Sequence, residues 1–409
     1  MSAPEENVYQ LIVVGAGMIG SAAAYHASLI PNTSVCLVGP AEPKCRKGRE
    51  IFGCWYDEGR LCYRVSGTPT WSTLASESLY RYRELEKLTG INFFIESGHV
   101  YATSEKGRWE NRLKLSKKYA PDIEDITKTW MNIFTFFNLP EDVYITYEKS
   151  IAGHLSPRNL VQAHQTAAQM HGAQIVRKIV STVVPSKSDA YKWDVMTECG
   201  TVLRGHRVLV AVGAYAALKP LFQHVCPNLV PQLALMAQTV AYLHVGEEEA
   251  QRLKLMPSLN IESSFGKLDG AYILPPIKYP DGKWYLKLGH GDAYEQRKTT
   301  LDEVKDWYIQ QSGSPECMNE LAKYLCHILP GLKVEKVTAD GCLTSDTPTR
   351  EPYIEVVAEG FGLALGGNGC GAKSCDEIGR LAAHLVILGE WESEIPKERL
   401  KTIWEPSQL

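Results

Sequence analysis

The stretch Tyr9-Gln10-Leu11-Ile12-Val13-Val14-Gly15-Ala16-Gly17-Met18-Ile19-Gly20 decides the architecture of this chain. Its first half is aliphatic and β-branched, as a buried strand requires, and the alanine-rich run that reaches Ala27 suits a helix. Between them Gly15 permits a tight turn, Gly17 a close backbone approach to a pyrophosphate, and Gly20 close packing of helix on strand. Met18 and Ile19 open the helix, whose amino end presents unpaired N–H groups and a favourable dipole to an anion. The pattern predicts a dinucleotide-binding βαβ unit and leaves NAD and FAD undecided.

The surrounding sequence extends that unit. A second apolar run, Val35 to Val38, lies where the next parallel strand belongs, but Gly39 and Pro40 stand where a ribose-binding acid is expected, with Glu42 the nearest carboxylate. Trp71, Ala75, Leu79, Tyr82 and Leu85 make one apolar stripe on a charged helix that Gly90 stops. Ser156-Pro157 starts another helix, closed by Gly172 before a strand at Gln174 to Arg177. Strands are expected at Trp193 to Thr197 and Val208 to Val212, the second ending at Gly213, where a strand delivers backbone to a ligand. Tyr272 to Leu274 and Trp284 to Leu288 flank Pro280-Asp281-Gly282 as an antiparallel hairpin. Thr300 and Glu303 form a capping-box pattern before a helix through Ile309, and a further helix follows Pro315. The last unit repeats the opening logic: a strand at Gly362 to Leu365, the turn Gly366-Gly367-Asn368-Gly369, and a helix from about Lys373 to Leu388.

Composition narrows the function class. Hydrophobic residues make up 44% of the 409 residues and charged residues 22%, ordinary values for a globular enzyme. A net charge of -4 without a long Lys/Arg block gives no phosphate-tracking surface, so nucleic acid is not an expected partner. No apolar run reaches the length of a membrane span, and no membrane association is expected. The 11 cysteines, odd in number and without a CxxC pair, fit free thiols in a reducing compartment and no metal site. Ser407-Gln408-Leu409 is similar to the peroxisomal address S-K-L, so peroxisomal import is the expected localisation and the cytoplasm the alternative.

The segment Cys342-Leu343-Thr344-Ser345-Asp346-Thr347-Pro348, followed by Gly366 to Lys373, resembles the monomeric sarcosine oxidase group of the D-amino-acid-oxidase-like flavoproteins. The resemblance extends over nearly the whole chain, through the opening glycine motif, Asp57 to Arg64, Ser156 to Gly172, Val208 to Tyr215 and Trp284 to Gly289. It implies FAD as cofactor and an α/β plus α+β fold: a Rossmann-type FAD-binding domain (residues 1–90, 150–222 and 335–409) interleaved with an antiparallel-sheet substrate domain (residues 91–149 and 223–334). Gly15, Gly17, Met18, Ile19, Gly20, Gly39, Gly213, Gly367, Asn368, Gly369, Gly371 and Lys373 are the expected cofactor-binding set.

The resemblance also assigns chemistry. Cys342 matches the cysteine bonded to the flavin 8α-methyl, the other reading being a buried free thiol. Lys287 matches the lysine over the flavin where oxygen is reduced, the other reading being a solvent-facing strand lysine. Lys373 matches a lysine that binds the substrate carboxylate. Arg60 aligns with the first of the family's paired arginines, which places Tyr63 at the second and leaves Arg64 as a shifted substitute. Tyr56 stands where a histidine is found, Thr344 where a tyrosine is found, and His290 is displaced by one residue, Gly291 taking its place. His290 is thus either a base or a core histidine. Lys287, Arg60 and Lys373 are the expected catalytic residues, and Arg64, Tyr63, Tyr56, Thr344 and His290 the expected substrate contacts.

The implied activity is oxidation of the C–N bond of a secondary or N-methyl amino acid (sarcosine, pipecolate or saccharopine-like) to an imine, with O2 reduced to H2O2 by a monomer. A flavin dehydrogenase with another acceptor, or a flavin-binding protein without activity, are the alternatives.

Overall fold

Leu11–Val14 forms a strand buried on both faces, with Val35–Val38 parallel on one side and Val208–Val210 parallel on the other. These are the middle of a six-stranded sheet in the order Gln174–Val176, Val35–Val38, Leu11–Val14, Val208–Val210, Phe361–Leu365 and Tyr353–Ala358, parallel except for the last pair. The computed structural model describes residues 8–407; Gln408 and Leu409 of the terminal tripeptide therefore lie outside the described residues.

Side chains alternate across such a sheet, and both sides are covered here. Leu11, Val13, Leu37 and Leu209 point into one core with Ala23, Ala24, Ala27, Ile378 and Ala382 of the helices Met18–Ser28 and Gly371–Leu388. Ile12, Val14, Val38 and Val210 point into the other, against Val183, Trp193 and Val195 of a four-stranded sheet. That second layer also takes Val8–Tyr9, so Gln10 separates two short strands where the sequence suggested one.

The helix layer is pinned by one carboxylate. Asp376 Oδ1 lies 2.8 Å from His26 Nε2 and 2.9 Å from His164 Nε2, and Arg81 Nε donates to Oδ2 at 2.7 Å. Four helices, Met18–Ser28, Pro69–Thr89, Pro157–Met170 and Gly371–Leu388, are tied at that point. Both Pro69–Thr89 and Pro157–Met170 start on hydroxyl caps, Thr68 and Ser156, and the first ends on Gly90 in the left-handed region.

A nine-stranded sheet stands beside this layered unit. Its long strand Ala234–Val245 is flanked by Lys336–Asp346 along one edge and by Trp284–His290 and Gln296–Lys298 along the other; the order then continues through Ala271–Lys278, Ser258–Glu262, His99–Thr103 and Tyr144–Glu148. Ser258–Glu262 and His99–Thr103 pair in parallel, and the other pairs in this series are antiparallel. One face carries Val100, Ile145, Ala241, Leu259, Ile273, Leu286 and Leu288 and packs on the helix Pro315–Ile328. The opposite face is polar because the same alternation places Tyr101, Asn260, Tyr272, Lys287, Tyr242, Asp340 and Cys342 there.

Most expected elements are present, with shifted ends. The strand after residue 207 closes at Val210, and Gly213–Ala217 is a short 3-10 turn. The last helix begins at Gly371, which places Lys373 inside its first turn. The capping box of Thr300 and Glu303 is complete. Lys106–Tyr119 is a helix the sequence pattern did not reveal, since only Arg112, Ser116 and Tyr119 of its residues are buried and no apolar stripe exists to be read.

Candidate active site

A long cavity opens where the glycine turns of the six-stranded sheet meet the edge of the nine-stranded one. Gly15, Ala16, Gly17, Met18 and Ile19 form one part of its wall, Gly39 and Pro40 another, and Gly213 to Tyr215, Gly366, Gly367, Gly369 and Gly371 a third. Cys342, Leu343, Thr344 and Ser345 close it from the long strand, with Phe52 to Tyr56 and Arg60 across from them. The expected glycines therefore converge, although they come from four separate segments of chain.

Local geometry explains why glycine occupies the turns. Gly15 has φ +113°, and a Cβ there would sit 2.3 Å from the Ala211 carbonyl oxygen. A Cβ on Gly39 would come 2.5 Å from Ala16 N, so packing of the second strand end on the turn excludes the expected acid. Glu42 does not replace it: both carboxylate oxygens bind Arg158 at 2.7 Å.

The cavity fits FAD on three observations. Gly213, Gly369 and Gly371 line it, and a Cβ on any of them would meet no atom within 4 Å, so space is kept beside bare backbone. Helices Met18–Ser28 and Gly371–Leu388 both begin at this cavity without a side-chain cap, in contrast to the hydroxyl-capped helices described above. Their first-turn N–H groups are available to phosphate or to carbonyl oxygens of a ligand. Thr344 Oγ1, buried at the wall, has no hydrogen-bond partner.

Beyond the cavity lies a charged cluster. Lys287 is fully buried, and its ammonium donates to Asp57 and to the Gly59 carbonyl oxygen, the latter at 2.5 Å. Arg60 donates through Nη1 to the same carboxylate and through Nη2 to the Cys54 carbonyl at 2.8 Å, and Nη2 lies 3.7 Å from Cys342 Sγ. Tyr279 donates to Asp57 Oδ1 at 2.9 Å and Tyr242 at 3.4 Å. Burial pulls the Lys287 ammonium down to about 8, and neighbouring Arg60 pulls the same way against Asp57. Although burial alone would raise it, the Asp57 carboxyl is held below the usual carboxylate range by Lys287 and Arg60.

Lys373 is also buried, with Nζ 4.2 Å above the centroid of the Tyr63 ring, which stacks on His99 at 4.1 Å. Burial, with Arg112 and Lys373 acting in the same sense, keeps the His99 imidazole neutral at pH 7. Its Nε2 has no hydrogen-bond partner.

Three expected substrate contacts, Arg64, His290 and Tyr63, are not part of the cavity wall. Arg64 is 2% exposed, yet its guanidinium is bound by Glu148 at 2.8 Å and Asp122 at 2.7 Å and forms no part of the cavity wall. An arginine with both ends already paired does not reach a substrate. His290 accepts the Thr239 N–H on Nε2 at 3.0 Å and directs Nδ1 to the Gly291 carbonyl, so both nitrogens are engaged with backbone. Tyr56 and Thr344 do face the cavity. Among expected cofactor residues, Gly20 supports from behind, since a Cβ there would strike the Gly15 oxygen at 1.8 Å. The Asn368 side chain locks the turn by accepting the Thr347 N–H at 2.8 Å and donating to the Gly366 carbonyl at 2.7 Å.

Sequence reasoning passed over Asp57, Tyr242, Tyr272 and Tyr279. An acid three residues before Arg60 was a readable signal; the tyrosines gave none, because only strand register puts them on one face.

The FAD dependent oxidoreductase family profile matches residues 10–385. Monomeric sarcosine oxidase of Arthrobacter sp. (strain TE1826) is 23% identical over 404 residues, covering 95% of this chain and 94% of that protein. Among solved structures, L-proline dehydrogenase from P. horikoshii aligns at TM-score 0.75 with 15% identity over 97% of each chain. NikD, an unusual amino acid oxidase essential for nikkomycin biosynthesis, aligns at TM-score 0.75 with 18% identity over 98% of each chain. Among the described residues no helix is long and apolar enough to cross a membrane.

Proposed function

The chain belongs to the FAD-dependent oxidoreductase family, and on that premise we propose that it oxidises the C–N bond of a secondary or N-methyl amino acid to an imine, reducing O2 to H2O2. The observation that carries this reading is Lys373: a buried ammonium in the first turn of a helix, over the Tyr63 ring and beside the Tyr63 and Cys370 side chains, with no carboxylate of the described chain paired to it. Buried charges are normally matched, so the matching anion is assigned to the substrate's carboxylate.

Bound FAD supplies the hydride acceptor. Lys373 holds the carboxylate and the helix amino end adds to its attraction. Tyr63 and Tyr272 present aromatic faces to the two ammonium groups, at 4.2 Å from Lys373 and 5.7 Å from Lys287. No side-chain base is needed when the amine binds neutral, which agrees with the engaged nitrogens of His290. Lys287 offers a fixed positive charge to the electron density that develops as oxygen is reduced. Cys342, at the cavity wall within reach of Arg60, is the residue for a thioether to the flavin.

The test is anaerobic titration of the purified holoenzyme with sarcosine, N-methyltryptophan, pipecolate, proline, saccharopine and D-amino acids, followed by admission of air. Loss of the flavin band with one N-alkyl or cyclic amino acid, then stoichiometric peroxide, is the expected result. Bleaching without peroxide identifies a dehydrogenase, and a flavin that no amine bleaches ends the amine-oxidase reading. The same sample unfolded in detergent keeps its flavin on the chain if the Cys342 bond is present.

A further inference from the structure

A buried lysine has two ways of lying in a protein: discharged, or charged beside an anion. Lys287 is wholly buried on the polar face of the nine-stranded sheet, and every element around it bears on which state holds. From the segment before Cys62 come Asp57, the Gly59 carbonyl and the Arg60 guanidinium. The neighbouring strands contribute Tyr242 on one side and Tyr272 on the other, the Tyr272 ring centred 5.7 Å from Nζ. Tyr279 reaches the same carboxylate, and Cys342 faces in from the strand Lys336–Asp346. Asp57 is the carboxylate in contact with Lys287, against two cations; Asp340, on the same sheet face, is paired with Arg46 at 2.8 and 2.6 Å.

The carboxylate is unusually well supplied. It takes the Lys287 ammonium and Arg60 Nη1 on one oxygen, and on the other the two tyrosine hydroxyls and the Glu58 N–H at 2.8 Å. Buried ion clusters of this kind add little to stability compared with apolar packing, so stability alone is a weak reason to keep one beside a cofactor cavity.

We propose that Asp57 is a positioning residue for the oxidative half of the reaction: its carboxylate keeps the Lys287 ammonium charged and fixed, and without it Lys287 discharges at neutral pH and dioxygen reduction slows. The inference rests on the reading above that dioxygen is the acceptor. In that half-reaction the two-electron-reduced flavin passes two electrons to O2, which with two protons leaves as H2O2; Lys287 supplies charge alone and ends unchanged.

The sign follows from the neighbours. Burial and Arg60 both favour neutral Lys287, and Asp57 opposes them; in Asp57→Asn the opposition is lost, so the pKa falls below its present value near 8. The holoenzyme is reduced anaerobically and mixed with oxygenated buffer from pH 6 to 10, and sulfite, an anion that bleaches oxidised flavin, is titrated over the same range without turnover. Wild type is expected to lose both reoxidation rate and sulfite affinity as pH rises through about 8. Asp57→Asn should move both midpoints down by at least about one unit, leaving reoxidation at pH 7.5 at least about threefold slower, since a unit of pKa is a tenfold change in the charged-to-neutral ratio. Asp57→Glu should restore part of the shift, which a general loosening of the fold would not.

Unmoved midpoints in Asp57→Asn, or a slower rate at an unchanged midpoint, overturn the inference. Should that variant not retain FAD, Asp57→Ser is read by the same two midpoints. A wild-type enzyme that ignores dioxygen sinks the oxidase reading, while the sulfite midpoints still report whether Asp57 holds the charge.

Discussion

Charge pairing at single residues separates scaffold from site. Glu148 is fully buried and accepts the Arg64 backbone N–H at 2.9 Å, its Nε at 2.8 Å and Arg112 Nη2 at 3.5 Å. Arg112 continues to Thr146 at 2.9 Å and lies over the Tyr101 ring at 4.8 Å. Replacing Glu148 by Gln leaves two buried guanidiniums short of an anion, and breaking a buried pair costs about 3–5 kcal/mol. Asp122 still serves Arg64, so the lower end, about 3 kcal/mol, is expected in urea unfolding. A loss under about 1 kcal/mol would mean that water reaches these guanidiniums. Arg60, three residues beyond Asp57, is the contrasting case: its partners leave it touching the cavity, whereas those of Arg64 hold it away.

Elements bring the cavity wall to its position through close contact. The helices Met18–Ser28 and Gly371–Leu388 touch where a Cβ on Gly379 would stand 2.5 Å from Ala23 N and 2.7 Å from Ala22 Cβ. In an isolated helix Gly→Ala gains roughly 1 kcal/mol of propensity. Here the new methyl meets backbone that cannot turn aside, and overpacking of this kind costs about 1–3 kcal/mol. Gly379→Ala is therefore expected to destabilise the protein and to weaken FAD binding, because the two uncapped helix starts move apart. The check is the denaturation midpoint together with FAD retention on gel filtration; a more stable variant would show that the helices are free to separate. The alanines of the first helix have the same origin, since Ala22, Ala23, Ala24 and Ala27 are all fully buried at these contacts.

At the scale of the whole molecule, the cavity exists only when both sheets are in place. Its glycine turns come from the six-stranded sheet and its Cys342 to Ser345 wall from the nine-stranded one. A ligand that binds only the assembled form stabilises it by mass action, about 2.7 kcal/mol at a hundred times its dissociation constant. A Cys342→Ala chain stripped of FAD should accordingly unfold at a lower temperature than the same chain with FAD restored, with one cooperative transition in calorimetry. An identical midpoint with and without FAD would remove this cavity as the cofactor site.

The local pattern of the chain was enough for the parallel unit. Val35–Val38 was read to the residue, the helix stops at Gly90 and the capping box at Thr300 were legible, and the glycine turns announced a phosphate ligand. These features are local, set by a few adjacent residues whose backbone preferences agree with the fold. Lys287, Lys373 and Cys342 were reached by resemblance; Cys342 lines the cavity, while the two lysines are buried outside its wall. What tertiary structure alone decided was the partner of each charge. Arg64 belongs to Glu148, 84 positions away, and Lys287 to Asp57, 230 positions away. No period in the sequence carries such a pairing, because it depends on which strand faces which at what register, and a shift of one residue would turn Lys287 and Tyr242 to the opposite face.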